Sequence, residues 1–209
     1  MMMDLPEATR IHKRLPKEDF YKRLSLTAAL KEKFVADVEQ IYVENSLTRE
    51  RLNLAKDSAV QEILLLSVTM KKKEFDGKVI EAIARQNPHS LIFLLLYEEE
   101  AQLAVYHGRL YRTPWLSKGE IALSAQGFSL EEILKGFIEQ IALTEETAQK
   151  AGGISLDERL HLQEKIEKLK KLIEKAERAA WKEVQPKKRF ALYQKLKAYK
   201  KELEDLQGG

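Results

Sequence analysis

The most constraining feature of this chain is a series of apolar segments between residues 60 and 111. Residues 60–70 form a long run of strand type, and residues 91–97 are almost wholly apolar, which is typical of a strand buried on both faces. Between them, residues 78–87 have the spacing of a short amphipathic helix, and residues 101–106 alternate as a strand does. The segment therefore predicts a strand–helix–strand–strand unit that supplies a sheet and its core.

More secondary structure is predicted on the N-terminal side of this unit. Apolar residues spaced by four and three predict a helix over residues 27–40, with Asp37 on its polar face. Residues 41–43 are predicted to begin a strand that residues 45–46 break, and residues 52–54 to form a second short strand. The predicted fold class is α+β, with a small mixed sheet flanked by helices.

The C-terminal quarter of the chain is predicted to be a helical hairpin. Ser155 and Glu158 have the capping-box spacing that starts a helix, and Pro186 ends the first helical pattern. Apolar residues step by four and three on both sides of that proline, which is a heptad pattern. The first seam consists of Leu162, Ile166, Leu169, Ile173, Ala176 and Ala180, and the second of Leu192, Leu196, Tyr199, Leu203 and Leu206. The pattern indicates an antiparallel hairpin or coiled coil.

Neither seam of this hairpin can stay exposed to water. The two seams bury each other, or they pack against a second copy of the chain in a homodimer, or they bind a protein partner. The predicted protein-interaction residues are Leu169, Ile173, Leu196, Tyr199 and Leu203. The Gly152-Gly153 pair is the clearest hinge, so we predict an α/β globular domain over residues 1–150 and the hairpin over residues 154–207.

Composition and motifs narrow the classes of function. The chain has 209 residues and no cysteine, which excludes disulfides and thiolate chemistry. Its N-terminus lacks a signal-peptide pattern, and its longest apolar run is too short to cross a bilayer, so we expect a cytoplasmic protein without a membrane partner. The sequence contains no phosphate-binding glycine loop, no histidine pair with metal-ligand spacing and no Gly-x-Ser-x-Gly elbow. The sequence thus predicts no cofactor and no metal, and it favours a non-enzymatic role.

One enzymatic alternative stays open. The predicted order of helices and strands resembles the core of PD-(D/E)xK nucleases, which hold magnesium between carboxylates on neighbouring strands. Glu62 is the only acid on the strand over residues 60–70, and Leu64 stands where those enzymes carry lysine. The remaining candidates are Glu74, Asp76 and Lys72, in the segment after that strand. A divergent metal-dependent nuclease would need these side chains to converge in one concave site.

The predicted tip of the hairpin is basic. Lys187, Lys188 and Arg189 follow Pro186 directly, with Phe190 beside them, and residues 155–207 carry 15 Lys and Arg against 10 Asp and Glu. A helix that starts at this point presents free backbone N–H groups and a positive dipole end. The three basic side chains are therefore predicted nucleic-acid-binding residues. The alternative is that these charges only keep the turn soluble.

Motifs along nearly the whole chain resemble a bacterial family, the domain of unknown function DUF4391. The matching residues are Leu5-Pro6, Lys13-Arg14-Leu15-Pro16-Lys17, Phe20-Tyr21, Leu52-Asn53-Leu54, Glu62-Ile63, Ile92-Phe93-Leu94-Leu95, Tyr97, Tyr111, Thr113, Trp115, Lys188-Arg189-Phe190, Leu196-Lys197 and Lys200-Lys201-Glu202-Leu203. The resemblance implies no established activity, but it implies a place beside DNA methyltransferases and helicases of restriction or phage-defence type. The resemblance also implies a more acidic third strand, from which Ser67 departs.

These observations lead to one main hypothesis. The chain is expected to be a non-enzymatic accessory subunit of a prokaryotic DNA restriction-modification or phage-defence complex. Its α/β domain would be the scaffold, and its hairpin would dock methyltransferase or helicase subunits. The alternatives are the divergent nuclease and a nucleic-acid-binding module.

Overall fold

The computed structural model describes residues 2–18, 24–55, 59–149 and 153–208. Phe20-Tyr21, which contribute to the family resemblance, and Gly152 of the predicted hinge lie outside the described residues. The chain divides into two compact units, Met1–Ala142 and Leu143–Gly209.

A seven-stranded mixed sheet is the centre of the first unit, which confirms the predicted mixed sheet. Its strands are β2 (Arg10–Leu15), β3 (Val38–Thr48), β4 (Glu62–Met70), β5 (Ser90–Tyr97), β6 (Glu100–His107), β7 (Arg109–Arg112) and β8 (Leu116–Ser117). The order across the sheet is β2-β3-β4-β5-β6-β7, and β8 pairs with β6. Neighbours are antiparallel except β4 and β5, which are parallel. A separate pair joins β1 (Met2–Asp4) in parallel to β9 (Ala122–Ser124).

Helices connect and cover this sheet. They are α1 (Ala28–Asp37), α2 (Arg49–Leu52), α3 (Lys78–Gln86) and α4 (Leu130–Ala142), with a 3-10 turn at Glu7–Thr9. The α3 helix is the crossover between β4 and β5, which parallel strands need because a tight turn cannot join them. The predicted strand–helix–strand–strand unit is therefore confirmed as β4-α3-β5-β6.

The core of the first unit lies on both faces of the sheet. On one face, α1 and α3 pack against the strands, and the buried residues include Phe34, Val38, Ile41, Leu66, Val68, Val79, Ile80, Ile83, Phe93 and Leu95. On the other face, α4 contacts β4, β6 and β7 and buries Ile133, Phe137 and Ile141. Because neighbouring residues of a strand face opposite ways, β5 buries Ile92 and Leu94 on the side opposite to Phe93 and Leu95. Burial on two faces explains its nearly continuous apolar sequence.

The predictions for the β2–α2 region need three corrections. The helix ends at Asp37 rather than at residue 40, and β3 continues through residues 45–46 instead of breaking there. The strand tolerates these polar residues because the Asn45 amide donates to the Thr9 hydroxyl at 2.9 Å and the Ser46 hydroxyl donates to Glu62. Residues 52–54 do not form a strand, because α2 ends at Leu52 and Asn53 caps it in a left-handed conformation, with φ of 50°.

The second unit contains the predicted hairpin. Its helices are α5 (Glu145–Gln149), α6 (Leu156–Lys182) and α7 (Pro186–Gly208), and α6 and α7 pack along each other. The capping box is confirmed, since Ser155 accepts from the Glu158 N–H and the Glu158 carboxylate accepts from the Ser155 N–H at 2.7 Å. Lys200 and Glu177 form an ion pair at 2.8 Å, well away from the turn, so the two helices are antiparallel. Among the described residues, no helix has the length and hydrophobicity to cross a membrane.

A buried polar contact ties the short α5 helix to α6. The Thr147 hydroxyl donates to the Gln163 side-chain oxygen at 2.6 Å, and the Thr144 N–H donates to the same oxygen at 2.8 Å. Thr147 and Gln163 are both buried, so each supplies the partner that the other needs out of water. These contacts place residues 143–149 with the hairpin, ahead of the predicted boundary at Gly152-Gly153.

Candidate functional site

A cleft of 420 Å³ lies beside the segment that follows β4, and it contains most of the charged residues predicted for this region. It is lined by Glu32, Lys33, Ala36, Asp37, Lys72, Glu74, Phe75 and Asp76. The cleft stands where a strand ends and a helix begins, which is the usual location of ligand sites in units with parallel strands. This segment is therefore the first candidate for function.

Asp37, at the end of α1, is the buried centre of the cleft, with only 2% of its surface exposed. Its Oδ1 atom lies 2.7 Å from the Lys72 ammonium, and its Oδ2 atom accepts the Asp76 N–H at 3.3 Å. The Lys71 N–H also donates to the Asp37 carbonyl at 2.8 Å. A buried carboxylate requires such partners, so the cluster fixes the segment after β4 against the end of α1.

Asp76 forms the second half of this charge network. Its Oδ1 atom accepts the Lys78 N–H at 3.0 Å at the start of α3, and its Oδ2 atom accepts the Lys33 ammonium at 2.5 Å. The hydrogen bond to Asp76 raises the pKa of Lys33, and the bonds from Lys33 and from the Lys78 backbone lower the pKa of Asp76. Both groups are thus held charged around neutral pH.

The charge network determines how much negative charge the cleft could offer to a metal ion. Asp37 and Asp76 each have a lysine partner, so their negative charge is already balanced inside the cleft. Across the described ranges, acidic and histidine side chains do not gather in any group of three or more that could hold a metal ion. Paired with lysines in this way, the two carboxylates hold the segment after β4 in place.

The structure brings together some of the nuclease candidates but not all of them. Glu74, Asp76 and Lys72 line the same cleft, whereas Glu62 is the first residue of β4 and lies at the far end of that strand. Nine residues of strand separate the two ends by about 25 Å. Glu62 instead accepts from the Ser46 hydroxyl and lies 3.2 Å from His89. The four candidates therefore do not converge in one concave site.

The position of Asp37 on α1 differs from the one predicted from its sequence pattern. It was predicted on the polar face of its helix, but it is buried. Its spacing from Phe34 is three residues, which places both on the same face of α1. An acid at a core-facing position was the signal that could have identified it.

A second polar group lies on the opposite face of the sheet. Glu44 accepts from the Ser67 hydroxyl with one oxygen and lies 2.8 Å from the His12 Nδ1 atom with the other. His12 stacks on Tyr42, with ring centroids 5.1 Å apart, and has a positive φ of 48° where the pairing of β2 with β3 shifts register. Ser67, on β4, thus has Glu44 of the neighbouring strand β3 as its hydrogen-bond partner. The group borders a cleft of 290 Å³ whose apolar floor includes Leu65, Leu94 and Leu96.

The hairpin presents a different kind of surface. Its predicted interaction residues pack between α6 and α7: Leu169 and Leu196 are buried, and Ile173, Tyr199 and Leu203 are half-buried. The seams therefore cover each other within one chain. The exposed apolar residues lie mostly near the turn, where Trp181 is 89% and Val184 is 87% exposed. The predicted nucleic-acid-binding residues Lys187, Lys188 and Arg189 are exposed in the first turn of α7.

Comparison with known proteins gives a family but no activity. No curated protein and no solved structure matches the chain. A family model, the Domain of unknown function (DUF4391), matches residues 3–203. The match covers nearly the whole chain and confirms the resemblance seen in the sequence motifs. The chain therefore belongs to the DUF4391 family.

Proposed function

We propose that this protein is a non-enzymatic accessory subunit of a prokaryotic DNA restriction-modification or phage-defence complex. The α/β unit acts as its scaffold and the helical hairpin acts as its docking arm. The partner is a methyltransferase or helicase subunit, as the resemblance to proteins encoded beside such enzymes implies. The protein acts in the cytoplasm, where these complexes meet DNA.

The observation that carries the proposal is the exposed apolar apex of the hairpin. We define this apex as Trp181 and Val184, which flank the end of α6 and are almost fully exposed. Tryptophan is the side chain most often found to dominate binding at protein interfaces, because it brings a large apolar area with little conformational freedom to lose. Exposure of these two apolar side chains to water is unfavourable, and both are suited to insertion into an apolar pocket of a partner.

The rest of the molecule is consistent with a scaffold. The carboxylates Asp37 and Asp76 are balanced by lysines, and the hairpin seams are satisfied within the chain. What the hairpin offers to a partner is therefore its apex and its outer faces, not the seam residues. This assignment moves the docking surface from Leu169 and Leu196 to Trp181 and Val184.

The test is affinity capture of the neighbouring methyltransferase or helicase subunit, co-expressed with the full chain and treated with nuclease before capture. We expect the double substitution Trp181→Ser and Val184→Ser to lower recovery about tenfold or more, as loss of a hot-spot residue does. A chain without residues 155–207 should recover none.

The matched control is Leu172→Ser, which removes another exposed apolar side chain of α6, more than two turns before the apex. It should leave recovery unchanged. Equal recovery by the wild-type chain, the apex variant and the chain without residues 155–207 would show that the hairpin is not the docking arm.

A further inference from the structure

The α7 helix has a charge distribution that differs from that of α6. Its first sixteen residues, 186–201, contain seven basic residues and no acid. The basic residues are Lys187, Lys188, Arg189, Lys195, Lys197, Lys200 and Lys201. In contrast, α6 carries eight basic and six acidic residues, mixed along its length. Residues 186–201 are therefore a stretch of the hairpin whose positive charge no acid of the same stretch offsets, and the three acids of α7, Glu202, Glu204 and Asp205, all follow it.

Helical spacing gathers part of this charge into a stripe with two aromatic rings. Residues 187, 190, 193, 197 and 201 recur at intervals of three and four, so they lie along one face of α7. We name this set the basic-aromatic stripe: Lys187, Phe190, Tyr193, Lys197 and Lys201. All five are exposed, and Phe190 and Tyr193 are 64% and 50% exposed. The stripe is about 20 Å long at 1.5 Å per residue.

Packing of the hairpin does not account for this stripe. The seam of α7 runs through Leu192, Leu196 and Tyr199, on a different face of the helix. In the part of the chain that the structure describes, the three stripe lysines have no acidic partner, whereas Lys200 pairs with Glu177. The basic first turn of α7 also opposes the helix dipole, which favours acids at this end. Lys187 stands in that first turn, where its charge is unfavourable for the helix, so a bound ligand is the better explanation of a lysine at this position.

The chemistry of the stripe identifies the class of ligand. A complementary ligand brings evenly repeated negative charges for the lysines and flat, unsaturated rings for Phe190 and Tyr193. Single-stranded nucleic acid supplies both, since its phosphates repeat along the chain and its unpaired bases stack on aromatic side chains. An acidic peptide carries no ring at each repeat of its charge, and an anionic membrane carries none. We propose that the basic-aromatic stripe of α7 binds single-stranded nucleic acid.

This inference does not rest on the proposed docking function, because it uses other residues. Protein docking is assigned to Trp181 and Val184, and nucleic-acid binding to the stripe. The apex variant should therefore bind nucleic acid as well as the wild-type chain does.

The test measures fluorescence anisotropy of a labelled oligothymidine and a labelled oligouridine of about twenty nucleotides, titrated with the full chain between about 50 and 200 mM salt. The double substitution Phe190→Ala and Tyr193→Ala should weaken binding about tenfold or more through lost stacking. The triple substitution of Lys187, Lys197 and Lys201 by Ser should reduce the slope of log K against log salt by about 2, because each phosphate contact on a single strand contributes about 0.7.

A matched control removes the same charge from α6. The triple substitution of Lys165, Lys168 and Lys175 by Ser takes three exposed lysines from that helix and should leave both affinity and salt slope nearly unchanged. All substituted side chains are exposed, so we expect unchanged circular dichroism and melting temperature for every variant.

Three results would overturn the proposal. The first is no binding by the wild-type chain at the lowest salt concentration. The second is an equal loss in the α6 control, which would indicate diffuse charge attraction. The third is full binding by the variant lacking both aromatic rings, which would leave a site for any polyanion, such as heparin, rather than for unpaired bases.

Discussion

Asp37 owes its buried position to groups that lie more than thirty residues later in the chain. Lys72 balances its charge, and the Asp76 N–H donates to its second oxygen. The sequence places Glu74, Asp76 and Lys72 near one another because they are close together in the chain. It could not bring Asp37 to them, because that contact depends on how α1 packs against the end of β4.

The contacts of Glu62 could not be predicted from the sequence either. An acid on a buried strand was a reasonable metal ligand, and its position on β4 was predicted correctly. Its partners, Ser46 and His89, come from β3 and from the loop before β5, and only the register of the sheet brings them to it. The sequence therefore predicted which residues of β4 and its following loop are charged, but not which contacts they make.

The ion pair between Lys72 and Asp37 gives a prediction for stability. Replacing Lys72 by Ala leaves the Asp37 carboxylate buried without its counter-charge, so the free energy of unfolding should fall by about 3 kcal/mol. Lys73→Ala is the matched control, because Lys73 pairs with Glu100 at the surface and should cost less than about 1 kcal/mol. Urea unfolding at neutral pH measures both. Equal losses in the two variants would mean that Asp37 does not depend on Lys72.

The lowered pKa of Asp76 predicts how stability depends on pH. A carboxyl whose folded pKa lies below its unfolded value stabilises the fold fully above the unfolded pKa, and this contribution is lost as pH falls through the folded pKa. The ordinary pKa of this group is 3.8, so Asp76→Asn should be less stable than the wild-type chain at neutral pH. The difference should persist to about pH 5 and shrink steadily below about pH 4.

A double-mutant cycle isolates the cause of this pH dependence. Lys33→Gln should lower stability at neutral pH in the wild-type chain and have no effect in the Asp76→Asn background, because the two side chains share one hydrogen bond. Denaturant unfolding at about pH 7, 5 and 3 provides the comparison. The opposite outcome is a stability difference between the wild-type chain and the Asp76→Asn variant that stays constant down to the lowest of these pH values. That result would contradict the lowered pKa of Asp76.

At the scale of elements, long periodic segments were predicted best. The strands β4 and β5, the helix α3 and the two hairpin helices agree with the apolar spacing, because burial of one or two faces determines their sequences. The capping box at Ser155 was also predictable, since both of its partners lie within four residues.

The elements that were predicted wrongly depend on distant polar partners. The β3 strand passes through Asn45 and Ser46 only because Thr9 and Glu62 bond their side chains. Its pairing with β4 also shifts register between Val43 and Asn45, which lets Glu44 stand outside the regular ladder. The local propensity of such residues predicts the end of a strand, but pairing within the sheet outweighs that preference.

At the scale of the whole molecule, the chain contains two compact units with separate cores. A substitution within one core should therefore leave the other folded. Leu169→Asp places a charge in the hairpin seam, where Leu169 is only 6% exposed, and should destabilise the hairpin by several kcal/mol, about the cost of burying an unpaired charge. The first unit, residues 1–142, should keep its stability.

Two spectroscopic signals separate these units. Far-ultraviolet circular dichroism reports the loss of α6 and α7. Tryptophan fluorescence reports mainly the first unit, because Trp115 packs in it against Tyr97, whereas Trp181 is already exposed. The substitution should lower the helical signal and leave the fluorescence transition in place. Simultaneous loss of both signals in one transition would show that the two units fold as one.

The parallel pairing of β1 with β9 has a consequence for synthesis of the protein. More than half of the chain separates Met2–Asp4 from Ala122–Ser124, and this intervening stretch includes all strands of the seven-stranded sheet. On a ribosome, β1 emerges before the strands of the seven-stranded sheet, and β9 emerges after them. Closing so long a loop is favourable only once the residues inside it are ordered. Pairing of β1 with β9 is therefore a late step in the folding of the first unit.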